Sequence, residues 1–256
     1  MYCSVYNYLT GTLNMGGISS IGVIIMQLCI NVGILESHQS TVDGYVYRLN
    51  MVPELSISST FLFAEELAND IDKTPMDLLI TGIDVHVSSK NKNPFPILYF
   101  IDRFIKQKPD LKVLVISYIN QIQLINALLE IGINGFILKD DQKSIQQLGN
   151  IVQIIANGGV FFSDGIHQDL FSKRENNGLT KRQLEVISLC AAYPDEDTFF
   201  LSKKLNISGS TFRNLLSTTY LKLGVRTRAA AIMKARQLSL IPQTTPADNY
   251  NFFANL

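Results

Sequence analysis

From position 29 onward the chain alternates between two hydrophobic rhythms. Short apolar runs rich in β-branched residues have the length and composition of strands: CINVGIL at 29–35, SISSTFLF at 56–63, MDLLITG at 76–82, LKVLVIS at 111–117 and NGFILK at 134–139. Between them lie stretches with helical spacing. These are 42–51, 64–72, the amphipathic PFPILYFIDRFIKQK at 94–108 opened by prolines, QIQLINALLEIG at 121–132 closed by Gly132, and 144–159 closed by a glycine pair. LKVLVIS is almost continuously apolar, as strands covered on both faces of a parallel sheet are. Five strand–helix units in succession predict a doubly wound α/β domain with a five-stranded parallel sheet over 29–158. Its site belongs at the C-terminal ends of the strands.

Past the glycine pair the rhythm changes. Residues 159–176 hold no sustained period and end in charge, which reads as a linker. Four helical segments follow within 177–243 (179–193, 199–208, 210–225 and 227–241), with short joins and no strand between them, so a second, all-α domain is predicted. Thr180 and Ser208 stand where the N-caps of the first and third of these helices belong. Residues 244–256 turn polar and read as a frayed tail.

The N-terminal 1–28 breaks the pattern. No charged residue precedes Glu36, and the uncharged stretch 18–35 is just long enough to cross a bilayer. It lacks a basic flank on its N-terminal side and contains Ser19, Ser20, Gln27 and Asn31, so a membrane segment is the disfavoured reading. The favoured one makes 29–35 a buried strand and the residues before it a loosely attached extension, with Met15 and Met26 as alternative starts.

Composition sharpens this picture where it is uneven. A chain of 256 residues with 46% hydrophobic and 17% charged residues is neither disordered nor collagen-like. Its formal net charge of +0 hides a partition: 1–176 holds 12 basic against 17 acidic residues, a net −5, while 177–243 holds 10 against 4, a net +6. An acidic front carrying a basic module is the charge distribution of a regulated nucleic-acid binder. Cys3, Cys29 and Cys190 are too far apart for a metal spacing and too few for a disulfide framework, so a reducing, cytoplasmic setting is expected. His38, His86 and His167 stand alone, without a motif that would make them ligands or bases. No nucleophile–base pair, phosphate-binding glycine loop or metal cluster marks an enzyme, and none is expected.

Three segments carry a resemblance. LTKRQLEV at 179–186, KKLNISGSTFRN at 203–214 and YLKLGVRTRAAAI at 220–232 together resemble the LuxR-type helix-turn-helix domain of the NarL/FixJ response regulators. The resemblance implies that the third helix enters the major groove, with Thr211, Arg213, Asn214 and Ser217 on its exposed N-terminal face and Lys222 further along. The residue chemistry agrees. Arg213 suits the O6 and N7 acceptors of guanine, Asn214 suits adenine, and Thr211 suits a phosphate at a helix N-terminus. Lys203, Lys204, Lys222, Arg226 and Arg228 are assigned to phosphates. Two departures stand out: the join AAYPDEDT is longer and more acidic than usual, and Leu215 takes a place where a polar residue is common.

The first domain resembles the receiver domain of the same regulators over 31–158, through GILESH, KVLVIS ending at Ser117, and GINGFILKDD with Lys139. In active receivers an acid pair and an aspartate hold Mg²⁺ and accept a phosphoryl group. Here the acid pair becomes Glu36 and Ser37, and Gly82 occupies the phosphoacceptor position. Glycine has no carboxylate to phosphorylate, and Glu36 alone is a poor Mg²⁺ ligand, so neither Mg²⁺ nor another cofactor is expected. Ser117 and Lys139 then read as remnants that satisfy each other or the loop backbone, and Phe136 as core.

The function this implies is a DNA-binding transcriptional regulator of the response-regulator type, independent of aspartyl phosphorylation. Its partners would be double-stranded DNA and a second copy of itself, with control by dimerisation, a protein partner or a ligand at the receiver-like domain. Two alternatives remain open at this point: a phosphorylated regulator using Asp84 and Glu36, and an adaptor that binds no DNA.

Overall fold

In the computed structural model of the chain, which describes residues 29–166 and 178–243, six strands make one parallel sheet. They are β1 (Ile30–Leu35), β2 (Leu55–Phe61), β3 (Leu78–Thr81), β4 (Lys112–Ser117), β5 (Gly135–Leu138) and β6 (Phe161–Phe162), in the order β2-β1-β3-β4-β5-β6. The connecting helices are α1 (Gln39–Leu49), α2 (Ala64–Asp70), α3 (Ile97–Gln107), α4 (Ile122–Ile131), α5 (Gln142–Gln146) and α6 (Leu148–Ala156). Alternation along the strands divides the core. Val32, Ile34, Leu78, Ile80, Leu114, Ile116 and Ile137 point to the face covered by α1 and α6. Leu79, Val113, Val115 and Phe136 point to the face covered by α2, α3 and α4. Phe136 is fully buried, in keeping with its reading as core. Gly132 closes α4 in the left-handed conformation (φ 104°) that its lack of a Cβ permits.

Several boundaries differ from the sequence reading. The sheet has a sixth strand where a linker was read, because Gly135 and Phe136 pair with Phe161 and Phe162 over a span too short to display a period. The helix expected over 144–159 is two helices that meet at Gln147 (φ −96°, ψ 15°), and Asp141 starts the first by accepting from the Ser144 N–H at 3.1 Å. Helix α1 begins at Gln39, within a stretch read as a polar turn. Residues 83–95, between β3 and α3, fold back on themselves: the Phe95 N–H donates to the Val85 carbonyl (2.8 Å) and the Val87 N–H to the Asn93 carbonyl (3.0 Å). Val85, Val87 and Phe95 are buried, so this hairpin-like excursion is packed structure.

Four helices follow: α7 (Lys181–Ala192), α8 (Thr198–Lys204), α9 (Gly209–Leu223) and α10 (Arg228–Gln237). Each starts at a side-chain N-cap, respectively Thr180, Asp197, Ser208 and Thr227. Thr180 and Gln183 form a reciprocal capping box. Helices α3 and α4 pack against α7, and the apolar cluster under α3 continues into the helical domain through Leu184, Ile187 and Leu201. Polar contacts tie the same junction. The side-chain amides of Asn91 and Asn93, from the excursion after β3, both donate to the Ala192 carbonyl at the end of α7 (2.9 and 3.3 Å).

The N-terminal extension, Cys3, His167, most of the expected linker and the tail lie outside the described residues. Of the uncharged stretch 18–35, Ile30–Leu35 forms β1. Among the described residues no helix is long and apolar enough to cross a membrane.

Candidate nucleic-acid interface and receiver pocket

Helix α9 presents two faces. Phe212, Leu216, Thr219 and Leu223 are buried against α7, α8 and α10, while Thr211, Arg213, Asn214, Ser217 and Lys222 are exposed. Among the described residues no side chain pairs with the Arg213 guanidinium or the Asn214 amide, so both are free to meet a ligand. The Ser208 hydroxyl accepts from the Thr211 N–H (3.1 Å) and shares a hydrogen bond with the Thr211 hydroxyl (2.8 Å), which organises the first turn. Leu215, the departure noted in the sequence, packs partly against the domain core.

The cations assigned to phosphates divide into four groups. Arg226 is exposed and has no partner among the described residues. The Lys203 ammonium lies 4.2 Å from the centroid of the Phe199 ring, and that of Lys204 lies 4.5 and 5.0 Å from those of Tyr193 and Phe200. Cation–π contact of this kind orients an ammonium without neutralising it. Lys222 donates to the Gly178 carbonyl at 2.7 Å.

Arg228, assigned to phosphates from the sequence, is instead engaged within the fold. Its guanidinium donates to the carbonyls of Tyr193 (2.7 Å) and Glu196 (2.5 Å), with Cys190 at 3.5 Å. These groups lie at and just beyond the C-terminus of α7, where carbonyls lack intrahelical partners and the helix dipole favours a cation. Arg228 thus caps the end of α7 from within the fold. Its sequence neighbourhood resembles that of Arg226, and nothing local distinguishes the two.

The first domain has a second site, at the sheet's topological switch between β1 and β3. Glu36 follows β1 and is 1% exposed. Lys139, after β5, donates to its Oε2 at 2.8 Å, and His38 approaches its Oε1 with both ring Nδ1 (3.0 Å) and backbone N–H (3.1 Å). Burial alone would push the Glu36 pKa up. The charge and hydrogen bond of Lys139, with the hydrogen bonds of His38, outweigh that and hold the carboxyl below its ordinary 4.5. Ser117 meets the loop backbone, accepting from the Ile119 N–H at 3.0 Å, whereas Lys139 is satisfied by Glu36. Ser37 accepts from the His86 N–H (2.9 Å) and donates to the Leu62 carbonyl (3.0 Å), so it braces the excursion after β3.

Gly82 sits among these groups, and its missing side chain has been replaced in space. A Cβ built on Gly82 would come within 3.2 Å of both Asp84 Oδ1 and Glu36 Oε2. Asp84 therefore turns its carboxylate back into the pocket, 3.9 Å from the Lys139 ammonium, while its side chain stays 39% exposed. Asp84, which the sequence offers together with Glu36 as an alternative acid site, is thus brought into the pocket. Burial, followed by the charges of Glu36 and Asp84, pushes the Tyr45 hydroxyl well above its usual range, so the phenol keeps its proton. Both Glu36 oxygens are engaged, and the Lys139 ammonium lies 2.8 Å from Glu36 Oε2 and 3.9 Å from Asp84 Oδ1.

A parallel sheet with an acid and a lysine at its switch point, followed by a four-helix domain with a capped, outward polar helix, defines a receiver-like domain joined to a helix-turn-helix domain. Comparison with known proteins agrees with that class, and the chain is similar over most of its length to transcriptional regulatory proteins. It is 24% identical over 217 residues to the transcriptional regulatory protein MctR of Rhizobium johnstonii, spanning 80% of this chain and 92% of MctR. To the transcriptional regulatory protein RcsB of Escherichia coli it is 24% identical over 221 residues, spanning 83% and 97%. With DesR of Bacillus subtilis it shares 31% identity over 109 residues, about half of that protein at 52%. No family model matches the chain. Among solved structures, RcsB of Salmonella enterica bound to promoter rprA superposes with a TM-score of 0.60 at 20% identity, covering 80% of this chain and 98% of that one. Another structure of the Salmonella typhimurium protein gives 0.58 at 21% identity, covering 82% and 98%. At these identities the structural likeness speaks for the fold.

Proposed function

We propose that this chain is a promoter-binding transcriptional regulator that acts as a homodimer and works without aspartyl phosphorylation. The observation that carries the reading is the outward face of α9, where Arg213 and Asn214 stand exposed and unengaged by other described residues beside a capped helix N-terminus. The net +6 of 177–243 supplies the sequence-independent attraction to phosphates. Relatives that are transcriptional regulatory proteins, and a structural neighbour solved on promoter DNA in the presence of phosphomimetic BeF3⁻, support the DNA-binding part of this reading. Domains of this kind read paired half-sites about one helical turn apart, which favours a two-fold dimer. Selecting binding sites from random DNA with the full-length protein tests it. Arg213→Ala is expected to weaken binding to the selected site by about 1–3 kcal/mol and to relax specificity at one base pair. Unchanged affinity for that site would remove Arg213 from base readout.

Independence from phosphorylation rests on Gly82 and on the closed Glu36–Lys139 pair. The position of Asp84 supports a competing reading, in which its carboxylate takes the phosphoryl group in place of the missing aspartate. The two are separated by incubating the protein with Mg²⁺ and acetyl phosphate and measuring intact mass. We expect no adduct. A gain of about 80 Da, one phosphoryl group, that disappears in Asp84→Asn would establish the competing reading instead.

A further inference from the structure

A cleft of about 360 Å³ lies between the two domains, and four cations line it. Arg103 and Lys106 reach it from α3, Arg182 from α7 and Lys204 from the end of α8. Two of these four charges are answered. Lys106 pairs with Asp102, one helical turn away, and Arg182 pairs at 2.6 Å with Glu185, which is nearly buried. Arg103 and Lys204 meet no carboxylate within ion-pair distance among the described residues. The rings of Tyr193 and Phe200 hold the Lys204 ammonium in place and leave its charge intact. Four cations against two acids leave the cleft with an excess of two positive charges, half of its cations coming from the domain whose overall balance is acidic.

Its position matters as much as its charge. Asn206, which also lines it, adopts a left-handed conformation (φ 52°) in the turn between α8 and α9. It stands two residues before Ser208, the N-cap of the helix carrying Arg213 and Asn214. The cleft therefore adjoins the end of α9 that faces bases in the proposed complex. A duplex read by that end carries a phosphate every few ångströms along each strand.

We propose that this interdomain cleft is a phosphate-group site shared by both domains, and that its ligand is the phosphodiester backbone flanking the bases read by α9. The inference rests on the DNA-binding reading above and adds a contact surface to it. Arg103 becomes a phosphate contact supplied by the receiver-like domain, so that domain contributes to affinity despite its net negative charge. A backbone held by Arg103 on one side and Lys204 on the other also bridges the junction between α3 and the helix-turn-helix.

The test uses the full chain, a random-sequence duplex and inorganic pyrophosphate as probes. Arg103 is exposed, so Arg103→Ala is expected to leave the melting temperature unchanged. In salt titrations it should lower the slope of log K against log[salt] by about 1, weakening binding uniformly across sequences. Lys73→Ala, which removes an exposed first-domain lysine outside the cleft, should leave the slope as in the wild type. An unchanged slope in Arg103→Ala, or an equal fall in both variants, overturns the proposal while DNA binding itself stands. If pyrophosphate raises the wild-type melting temperature, and Arg103→Ala abolishes that rise without altering the DNA slope, the site takes a free phosphate and its assignment to the DNA backbone is wrong. Failure of the wild type to bind the duplex in a salt-dependent manner would overturn the DNA-binding reading and this one with it.

Discussion

Replacing Lys139 with methionine is expected to destabilise the first domain by about 3–5 kcal/mol at neutral pH, the usual cost of leaving one member of a buried ion pair alone. Glu36 is 1% exposed, and Lys139 supplies the only cation bonded to its Oε2 among the described residues. Methionine fills the stem's volume and removes the charge. The pH dependence should change sign. In the wild type the Glu36 pKa is lowered in the folded state, so its contribution to stability is present above the unfolded value near 4.5 and is lost as pH falls through the folded one. In Lys139→Met burial is no longer outweighed and the folded pKa rises above the unfolded value. The variant then gains stability as pH falls toward 4.5 and loses it as pH rises through the raised pKa. Urea denaturation between pH 4 and 8 reads both effects. Glu36→Gln/Lys139→Met should recover most of the loss, because no charge is left buried, and the cycle isolates the pair. A single variant within about 1 kcal/mol of wild type, with an unchanged pH profile, would show that water reaches Glu36 and that the pocket is open.

The second large effect concerns Arg228. Arg228→Met is expected to destabilise the helical domain by about 2–4 kcal/mol, since two short charge-assisted hydrogen bonds to backbone carbonyls and the cation at a helix C-terminus go together. DNA binding should fall with the folded fraction, and below the melting transition the salt slope should match the wild type. Arg226→Ala is expected to do the reverse, leaving stability unaltered and lowering the slope by about 1. A slope that drops in Arg228→Met while the melting temperature holds would return Arg228 to the phosphate surface.

The order of strands and helices was legible because a core face is a periodic property: Leu78, Ile80, Leu114 and Ile116 fall on one side of the sheet by alternation alone. Thr180 and Ser208 could be read as caps because an N-cap bonds its own helix, three residues on. That Gly82 offers no carboxylate was legible for the simplest reason, that it is a matter of residue identity. The exposed face of α9 followed from helical spacing plus the resemblance, since Phe212 and Leu216 had to point inward.

What could not be read were matters of long-range geometry. Strand β6 has two residues and is held by β5, some 25 positions earlier in the chain, so no local rhythm marks it. Asp84 reaches the pocket because the chain after β3 folds back through paired backbone groups at 85–95, and that bend returns the carboxylate to the space above Gly82. His38 and Lys139 share Glu36 although Lys139 lies 103 positions from it. Arg226 and Arg228 are chemically identical and two residues apart, yet one faces solvent and the other caps a helix that ended 36 positions before it. The same holds for the sum of charges. A net −5 on 1–176 is a property of composition, whereas the excess of cations where α3 meets α7 and α8 exists only once the two domains are packed together. Residue identity and local spacing thus suffice for elements, caps and the lack of a carboxylate at Gly82. Which charged groups stay free for a ligand depends on partners distant in the chain, because a charge is neutralised by whatever the fold brings within a few ångströms of it.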